Sequence, residues 1–360
     1  MTFLLVLLIF VPAAIAAELL HAAPVLVFDL SALAIVPVAG FPGRATEELS
    51  SYTGPTVGGR LNAMLGNLAE LIVAIRALRA GLVDLVKASI TGSILGHLQL
   101  VLRLAQLLGG LRHKVQRFSI ALAGLSVSLL GVVVIGLVIP ALFHATHADP
   151  ARELTHRACI GVAALLIVGY ALSLVDTMGT HRAVFGEGRE VQAAGHPLRW
   201  SKGRSLAVLV GAAALVGWLS EHLVGSTEAA TRQLGMSEVF GGLIIVPIIG
   251  NAAEHSSAVL MALKNRMDVA VSIAIGSSEQ AALLVAPLLG FIVLAFGQPM
   301  DLAFSPFEVV SVALAVAVAT SVVNDASPTG WRERSFCWCT AYSPSPSSII
   351  DLQLIVRPSS

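Results

Sequence analysis

Two copies of a short polar motif stand out in a chain that is otherwise strongly apolar. One copy runs from Gly66 to Glu70 and the other from Gly250 to Glu254, and both read Gly-Asn-x-Ala-Glu. Three positions separate the amide from the carboxyl, so on a helix the two groups lie on one face, about one turn apart. Carboxylate and amide oxygens are ligands that a hard cation prefers. The motifs therefore predict a cation site.

Both carboxyls fall near the middle of predicted apolar helices. Insertion of an ionised acid at such a position costs about 2.5–3.5 kcal/mol, and intramembrane acids are usually functional for that reason. The alternative is structural: Glu70 and Glu254 would be held neutral or hydrogen-bonded between neighbouring helices. Their occurrence at matching positions of two motifs favours a shared site.

Residues just before each acid favour a local break in the helix. Gly66 and Gly250 precede the asparagines, and Pro247 removes a backbone donor shortly before the second motif. Unwound backbone at such a break can present carbonyl oxygens to an ion. The glycines also suit a second role, which is close packing between helices.

Further candidate ligands are oxygen donors downstream of each motif. Ca2+ takes six to eight oxygen ligands, so Asn67, Asn251 and the two acids call for additional donors. The downstream candidates are Ser93, Ser277 and Gln280, and ordinary hydrogen bonding between helices would explain each of them equally well. His97 and His255 could relay protons near neutral pH or simply pack.

Composition identifies the elements that must position these groups. Of the 360 residues 56% are hydrophobic and 12% are charged, with a mean hydropathy of +0.84. We predict an all-α membrane protein with about ten transmembrane helices, because a span needs roughly 20 apolar residues. The predicted spans are 2–20, 23–40, 56–79, 84–109, 118–143, 157–179, 205–225, 239–263, 268–295 and 303–323.

The two motifs belong to a longer internal repeat. Glu254 follows Glu70 by 184 positions, and the same spacing pairs Gly58 with Gly242 and Asp84 with Asp268. An odd number of predicted spans separates the copies, so the second copy crosses the membrane in the opposite direction. Transporters with inverted repeats bind substrate at the repeat interface near the midplane.

Charge distribution gives orientation and excludes one class of partner. Arg and Lys are more frequent on the connections after even-numbered spans, which places the segment 180–204 in the cytoplasm. Basic and acidic residues number 22 each, so no nucleic-acid partner is indicated. The three cysteines provide no framework for disulfides or a thiolate metal site, and no cofactor is expected.

These residues resemble the Ca2+/cation:proton antiporters, a branch of the Ca2+/cation antiporter superfamily. The resemblance rests on the segments 58–70 and 246–255, with further support from 87–96 and 276–278. It implies one leading helix followed by two inverted halves of five helices. It also implies that Glu70 and Glu254 alternately bind Ca2+ and protons, which are the expected substrates, and that the protein is multi-pass in a bacterial inner membrane. The sequence does not predict an oligomeric state.

The chain departs from the family pattern at several positions. His97 stands where the family has Asn, Arg103 where it has Gly, and Glu279 where a small or neutral residue is usual. The segment 326–360 is rich in Ser and Pro with no run long enough to span. We therefore expect the eleventh helix to be missing, as in a truncated or frameshifted product.

The predicted organisation has five parts, and three other functions stay open. The parts are a leading helix 1–22, a first half 23–179, a linker 180–204, a second half 205–325 and a polar tail 326–360. The alternatives are Na+/Ca2+ or other cation exchange, an intramembrane hydrolase that uses the paired acids, and an inactive truncated product. Inverted duplication favours alternating access over hydrolysis.

Overall fold

The computed structural model describes residues 6–49, 52, 65–146, 153–175, 200–233, 235, 240–295 and 302–325. All regular structure in these segments is helical. The predicted span 56–79 is therefore described only from residue 65, the predicted linker only from residue 200, and the predicted tail 326–360 lies outside the described residues.

Thirteen α-helices are numbered here in chain order across the described segments. Two are extended by π-helical turns, Gly96–Val101 after α4 and Ala281–Val285 after α11, and a third π-helical turn, Gly241–Ile245, precedes α9. The α-helices are α1 Phe10–Leu19, α2 Pro24–Val38, α3 Leu68–Arg79, α4 Val83–Leu95, α5 Leu102–Arg112, α6 Ile120–Thr146, α7 Glu153–Val175, α8 Lys202–Gln233, α9 Val246–Gly250, α10 Ala252–Leu263, α11 Met267–Gln280, α12 Ala286–Ala295 and α13 Pro306–Asp325.

Seven continuous helical segments of the described structure are long and apolar enough to cross a membrane. They are Pro24–Leu49, Val83–Arg112, Ala123–Phe143, Arg157–Val175, Lys202–Gln233, Met267–Leu294 and Pro306–Asn324. An eighth candidate is the pair Gly241–Gly250 and Ala252–Leu263, which is bent by 63° at the second motif. The all-helical membrane architecture is confirmed, whereas the count of ten spans stays a prediction.

Helix bounds recur at the spacing of the sequence repeat. The helix Leu68–Arg79 corresponds to Ala252–Leu263 when 184 positions are added to each bound. Val83 at the start of α4 likewise corresponds to Met267 at the start of α11, and a π-helical turn follows both helices. The two motifs thus stand in the same local structural context.

The core consists of two apolar clusters with the motif helices between them. One cluster is built mainly from α4, α6 and α11 to α13, and the other from α1, α2, α8 and α9. Helix α3 contributes Ala69 and Val73 to the second cluster but Ala74 and Ala77 to the first. Glu70 is therefore at the seam where the two clusters meet.

Outward-facing apolar side chains form the surface that a bilayer would cover. Leu165 and Leu172 on α7 are 72% and 62% exposed, and α6 and α13 carry similar residues, among them Ile135 and Leu314. A water-exposed surface of this composition would be unfavourable. The exposure pattern fits helices whose outer faces contact lipid.

Helix α4 is held in place by polar contacts with the segment that starts α13. Ser305 and Glu308 form a capping box, in which the Ser305 backbone N–H donates to Glu308 Oε2 at 2.9 Å. Thr91 donates to the other Glu308 oxygen at 3.4 Å, and Lys87 Nζ donates to the Ala303 carbonyl at 2.9 Å. These bonds fix the helix that carries Ser93.

Candidate functional site

Both motif acids are in the first turn of a helix that begins after a backbone break. Asn67 has φ −94° and ψ 25°, and Asn251 has φ −105° and ψ 11°, so neither residue continues a regular α-helix. Glu70 and Glu254 each follow three positions later. Free N–H groups and the helix dipole favour negative charge at a helix N-terminus, which helps to offset the burial of a carboxylate.

Proline and glycine bring the second break close to helix α4. Pro247 has no N–H to donate to the Leu243 carbonyl four positions earlier. That carbonyl lies directly against Gly92 of α4, where a Cβ atom would overlap it. Gly242 makes a similar approach, since a Cβ there would be 2.7 Å from the Leu85 carbonyl oxygen. Both glycines permit the close contact that sets the break beside Ser93.

The two motifs meet at the same seam. A Cβ atom on Gly250 would lie 3.9 Å from the Cα of Glu70, so the break in the second motif touches the acid of the first. Asn251 is 2% exposed, and its amide donates to the hydroxyl of Ser93 at 3.1 Å. Helix α4 thus joins the first motif to the second.

Glu70 and Asn67 are buried polar groups whose side chains have no hydrogen-bond partner among the described residues. They are 5% and 6% exposed, and neither the carboxylate oxygens of Glu70 nor the amide atoms of Asn67 make a hydrogen bond within the described residues. Each such group costs roughly 1–3 kcal/mol, and more when it is charged. The side chains of Ser93, Asn251, His97 and Glu254 lie near the Glu70 carboxylate. Unpaired oxygens in such a place suit a group that binds an ion or a proton.

Glu254 is more accessible and has a specific partner. Its side chain is 22% exposed, and its Oε2 lies 3.0 Å from Nε2 of His97, whose side chain is fully buried. His97 Nδ1 is 2.8 Å from the carbonyl oxygen of Ser93. His255 completes the group, with its ring 4.8 Å from the His97 ring in an edge-to-face arrangement.

Sequence reasoning missed the contact between His97 and Glu254. The two residues are 157 positions apart, and the sequence predicts His97 only as a proton relay or a packing residue. The available signal was local: His97 follows Ser93 by four positions, which puts both on one face of a helix. A predicted ligand at Ser93 therefore implied that His97 faces the same site.

The structure gives Ser277 and Gln280 no hydrogen bond to either motif within the described residues. Ser277 is 7% exposed and Gln280 is half-buried on α11, and neither makes a hydrogen bond to Glu70 or Glu254 within the described segments. The neighbouring Ser278 donates to the Ile94 carbonyl at 3.4 Å, across the same 184-position spacing as the repeat. The expected ligand role of Ser277 and Gln280 stays a prediction.

The departures from the family pattern have partners. Glu279 is 8% exposed and accepts a hydrogen bond from Ser173 of α7 at 3.1 Å. Arg103 donates a hydrogen bond to Gln106 at 3.4 Å.

The arrangement is open rather than a closed metal cage. Over the described part of the chain, no three His, Cys, Asp or Glu side chains converge closely enough to hold an ion by themselves. The site instead offers the carboxylates of Glu70 and Glu254, the imidazole of His97, which contacts Glu254, and the amide of Asn251, which donates to the hydroxyl of Ser93. Such a set can bind a cation or protons when the helices move slightly.

Comparison with known proteins gives consistent matches. Residues 23–178 and 204–339 match the family described as sodium/calcium exchanger protein. The Ca(2+)/H(+) antiporter of Synechocystis is 43% identical, with 91% of this chain and 92% of the relative aligned. The Ca(2+)/H(+) antiporter ChaA of Bacillus subtilis is 38% identical over 90% and 92% of the two chains.

Solved structures agree in fold. The Ca2+/H+ antiporter protein YfkE is 34% identical and superposes with a TM-score of 0.76, covering 94% of this chain and 98% of its own. The H+/Ca2+ exchanger CAX has a TM-score of 0.72 at 15% identity, covering 99% of this chain and 88% of its own, and so supports the fold alone.

Proposed function

We propose that this chain, which belongs to the sodium/calcium exchanger protein family, exchanges Ca2+ for protons across a membrane. One observation of the structure carries the proposal: two acids stand at equivalent positions of broken helices, Glu70 buried and Glu254 partly exposed, and the second break is bonded to helix α4. Secondary transporters use such breaks to bind ions at the midplane. The relatives named as Ca(2+)/H(+) antiporters support the choice of ions. The protein is thus a transporter rather than an enzyme.

The proposed site has Glu70 and Glu254 as the exchanging carboxylates. Asn67, Asn251 and Ser93 would supply neutral oxygen ligands, and Ser277 and Gln280 would join after a movement of α11. Ca2+ requires deprotonated ligands, so protons compete for the same oxygens and Ca2+ binding weakens as pH falls. Release of Ca2+ on one side of the membrane and of protons on the other gives exchange.

The proposed architecture is one leading helix, 1–22, followed by two inverted halves, 23–179 and 205–325, in a multi-pass inner-membrane protein. Matching helix bounds at the 184-position spacing support the two-fold relation of the halves. The contact between Ser278 and Ile94, themselves 184 positions apart, is what a two-fold axis between the repeats would give. Alternating access would follow from rocking of one half against the other.

The test is Ca2+ uptake into vesicles that contain the purified full chain. An imposed pH gradient, acidic inside, should drive Ca2+ inward, because protons leaving the vesicle supply the free energy. An outward Na+ gradient of the same size at equal pH serves as the control and should drive no uptake above that of empty vesicles. Uptake driven by the Na+ gradient alone would contradict Ca2+/H+ exchange and would indicate Na+/Ca2+ exchange instead.

A further inference from the structure

The ring of His97 is fixed in one orientation by its surroundings. Its side chain is fully buried, and its Nδ1 is 2.8 Å from the backbone carbonyl oxygen of Ser93. A carbonyl oxygen can only accept a hydrogen bond, so Nδ1 must carry the hydrogen. In the neutral ring the lone pair is then on Nε2.

That lone pair is directed at a second acceptor. Nε2 is 3.0 Å from Oε2 of Glu254, and an ionised carboxylate has no hydrogen to donate. A nitrogen lone pair and a carboxylate repel each other at this distance unless a positive ion bridges them. That ion is either a proton between the two atoms or a metal cation beside them that binds both. Metal-binding histidines characteristically donate their other ring N–H to a backbone carbonyl, which is the arrangement that Ser93 provides.

We propose that His97 Nε2 and Glu254 together bind the transported cation. This inference rests on the exchange function proposed above. Ca2+ takes oxygen ligands, whereas imidazole nitrogen suits divalent transition-metal ions. His97 therefore shifts the preference of the site from Ca2+ toward a transition-metal cation. Mn2+ has the weakest affinity of the divalent first-row series for such sites and is used here as a probe because it is paramagnetic. His97 is thus a specificity-determining residue of the proposed exchange.

Neighbouring groups can complete the coordination. His97 and Glu254 give one nitrogen and one or two oxygens, and among the described residues no third His, Cys, Asp or Glu converges with them. The side-chain amide of Asn251 donates to the hydroxyl of Ser93 at 3.1 Å, and the carbonyl oxygen of Ser93 is 2.8 Å from His97 Nδ1. The remaining ligands would be neutral oxygens, so nitrogen from His97 would be the main departure from an all-oxygen site.

The experiment detects the nitrogen directly. Mn2+ is bound to the purified full chain, and pulsed electron paramagnetic resonance records magnetic coupling to 14N. We expect coupling in the wild type that Ca2+ removes by competition and that changes to 15N coupling when the protein carries 15N-histidine. His97→Asn, which exchanges the ring for an amide, should lose it, whereas the matched control His255→Asn should keep it.

Affinity provides a second readout. Loss even of an outer-shell partner of a metal ligand typically costs 10–100-fold in metal affinity, so His97→Asn should weaken Mn2+ relative to Ca2+ by at least about tenfold. Isotope labelling of the wild type needs no substitution, so the inference stays testable if the variant misfolds.

Several outcomes would overturn the inference. Bound Mn2+ without histidine coupling, coupling that disappears in His255→Asn but not in His97→Asn, or Ca2+ binding with no Mn2+ binding would each do so. In each of these cases, the proposed exchange of Ca2+ for protons would still hold if a pH gradient drove Ca2+ uptake. Absence of both Ca2+ binding and uptake would instead contradict the proposed function itself.

Discussion

Glu70→Gln and Glu254→Gln should each reduce pH-driven Ca2+ uptake to the level of empty vesicles. Glutamine keeps the size of the side chain and one oxygen ligand, but it cannot carry a negative charge or release a proton. Exchange needs both properties in one group, because the carboxylate holds Ca2+ in one state and a proton in the next. The measurement is the initial rate of Ca2+ uptake at several pH values, with equal amounts of reconstituted protein.

The matched control for this pair is Glu228→Gln. Glu228 is an exposed acid on α8 that pairs with Arg232 and is outside the site, and exposed ion pairs contribute little stability. Its variant should transport like the wild type, whereas Glu70→Asp and Glu254→Asp should retain part of the activity. If Glu70→Gln or Glu254→Gln took up Ca2+ at the wild-type rate, the carboxyl that was replaced would be a structural group and not part of the proposed site.

The two Gln variants should differ in stability. Glu70 has no hydrogen-bond partner in the described structure, so neutralising it removes a buried charge and should leave thermal stability unchanged or raised. Glu254 has His97 as a partner at 3.0 Å, so its neutralisation weakens a buried contact. Thermal unfolding of the two purified variants compares these effects.

Gly92→Ala should impair the protein strongly, and its repeat equivalent Gly276→Ala should not. A Cβ on Gly92 would overlap the Leu243 carbonyl and lie 2.7 Å from Pro247 Cγ, so the backbone of the broken helix has to shift. Overpacking of this kind costs about 1–3 kcal/mol. At Gly276 a Cβ meets no atom within 4 Å. Alanine is otherwise the better helix former at both positions.

Uptake rate and thermal unfolding midpoint should both fall in Gly92→Ala, since the displaced segment carries Asn251 and Glu254. Gly276→Ala should match the wild type in both measurements. Equal behaviour of the two variants would mean that the close approach of Gly92 to Leu243 does not position the site.

Sequence alone predicted the helical breaks well because their causes are local. Glycine and asparagine before each acid, and Pro247 before the second, act on their own backbone, and the structure ends or begins helices at Asn67 and Asn251. The 184-position spacing found between the motifs also separates the bounds of the helices around them. The all-α membrane fold and the exchanger family were likewise predicted correctly.

The sequence alone did not predict the long-range contacts between helices. The spacing of Ser93 and His97 indicates only that both face the same side of a helix. That His97 contacts Glu254, and that Thr91 contacts Glu308, depends on how α4 packs against distant helices. The same reason leaves Ser277 and Gln280 as predicted ligands, since their contribution depends on the position of α11. The ten-span count and the domain bounds also stay predictions, because short helices such as α1 and α3 do not by themselves identify a span.

Coupling of the two ions is the central claim, and simultaneous recording of Ca2+ and pH inside vesicles tests it most directly. Vesicles with the full chain start at equal pH on both sides, and Ca2+ is added outside while any voltage is dissipated. The account predicts that Ca2+ enters and the lumen becomes alkaline in step, because each entering ion expels protons, and that Glu254→Gln abolishes both signals together. Entry of Ca2+ at the wild-type rate with no change in luminal pH would contradict exchange of Ca2+ for protons.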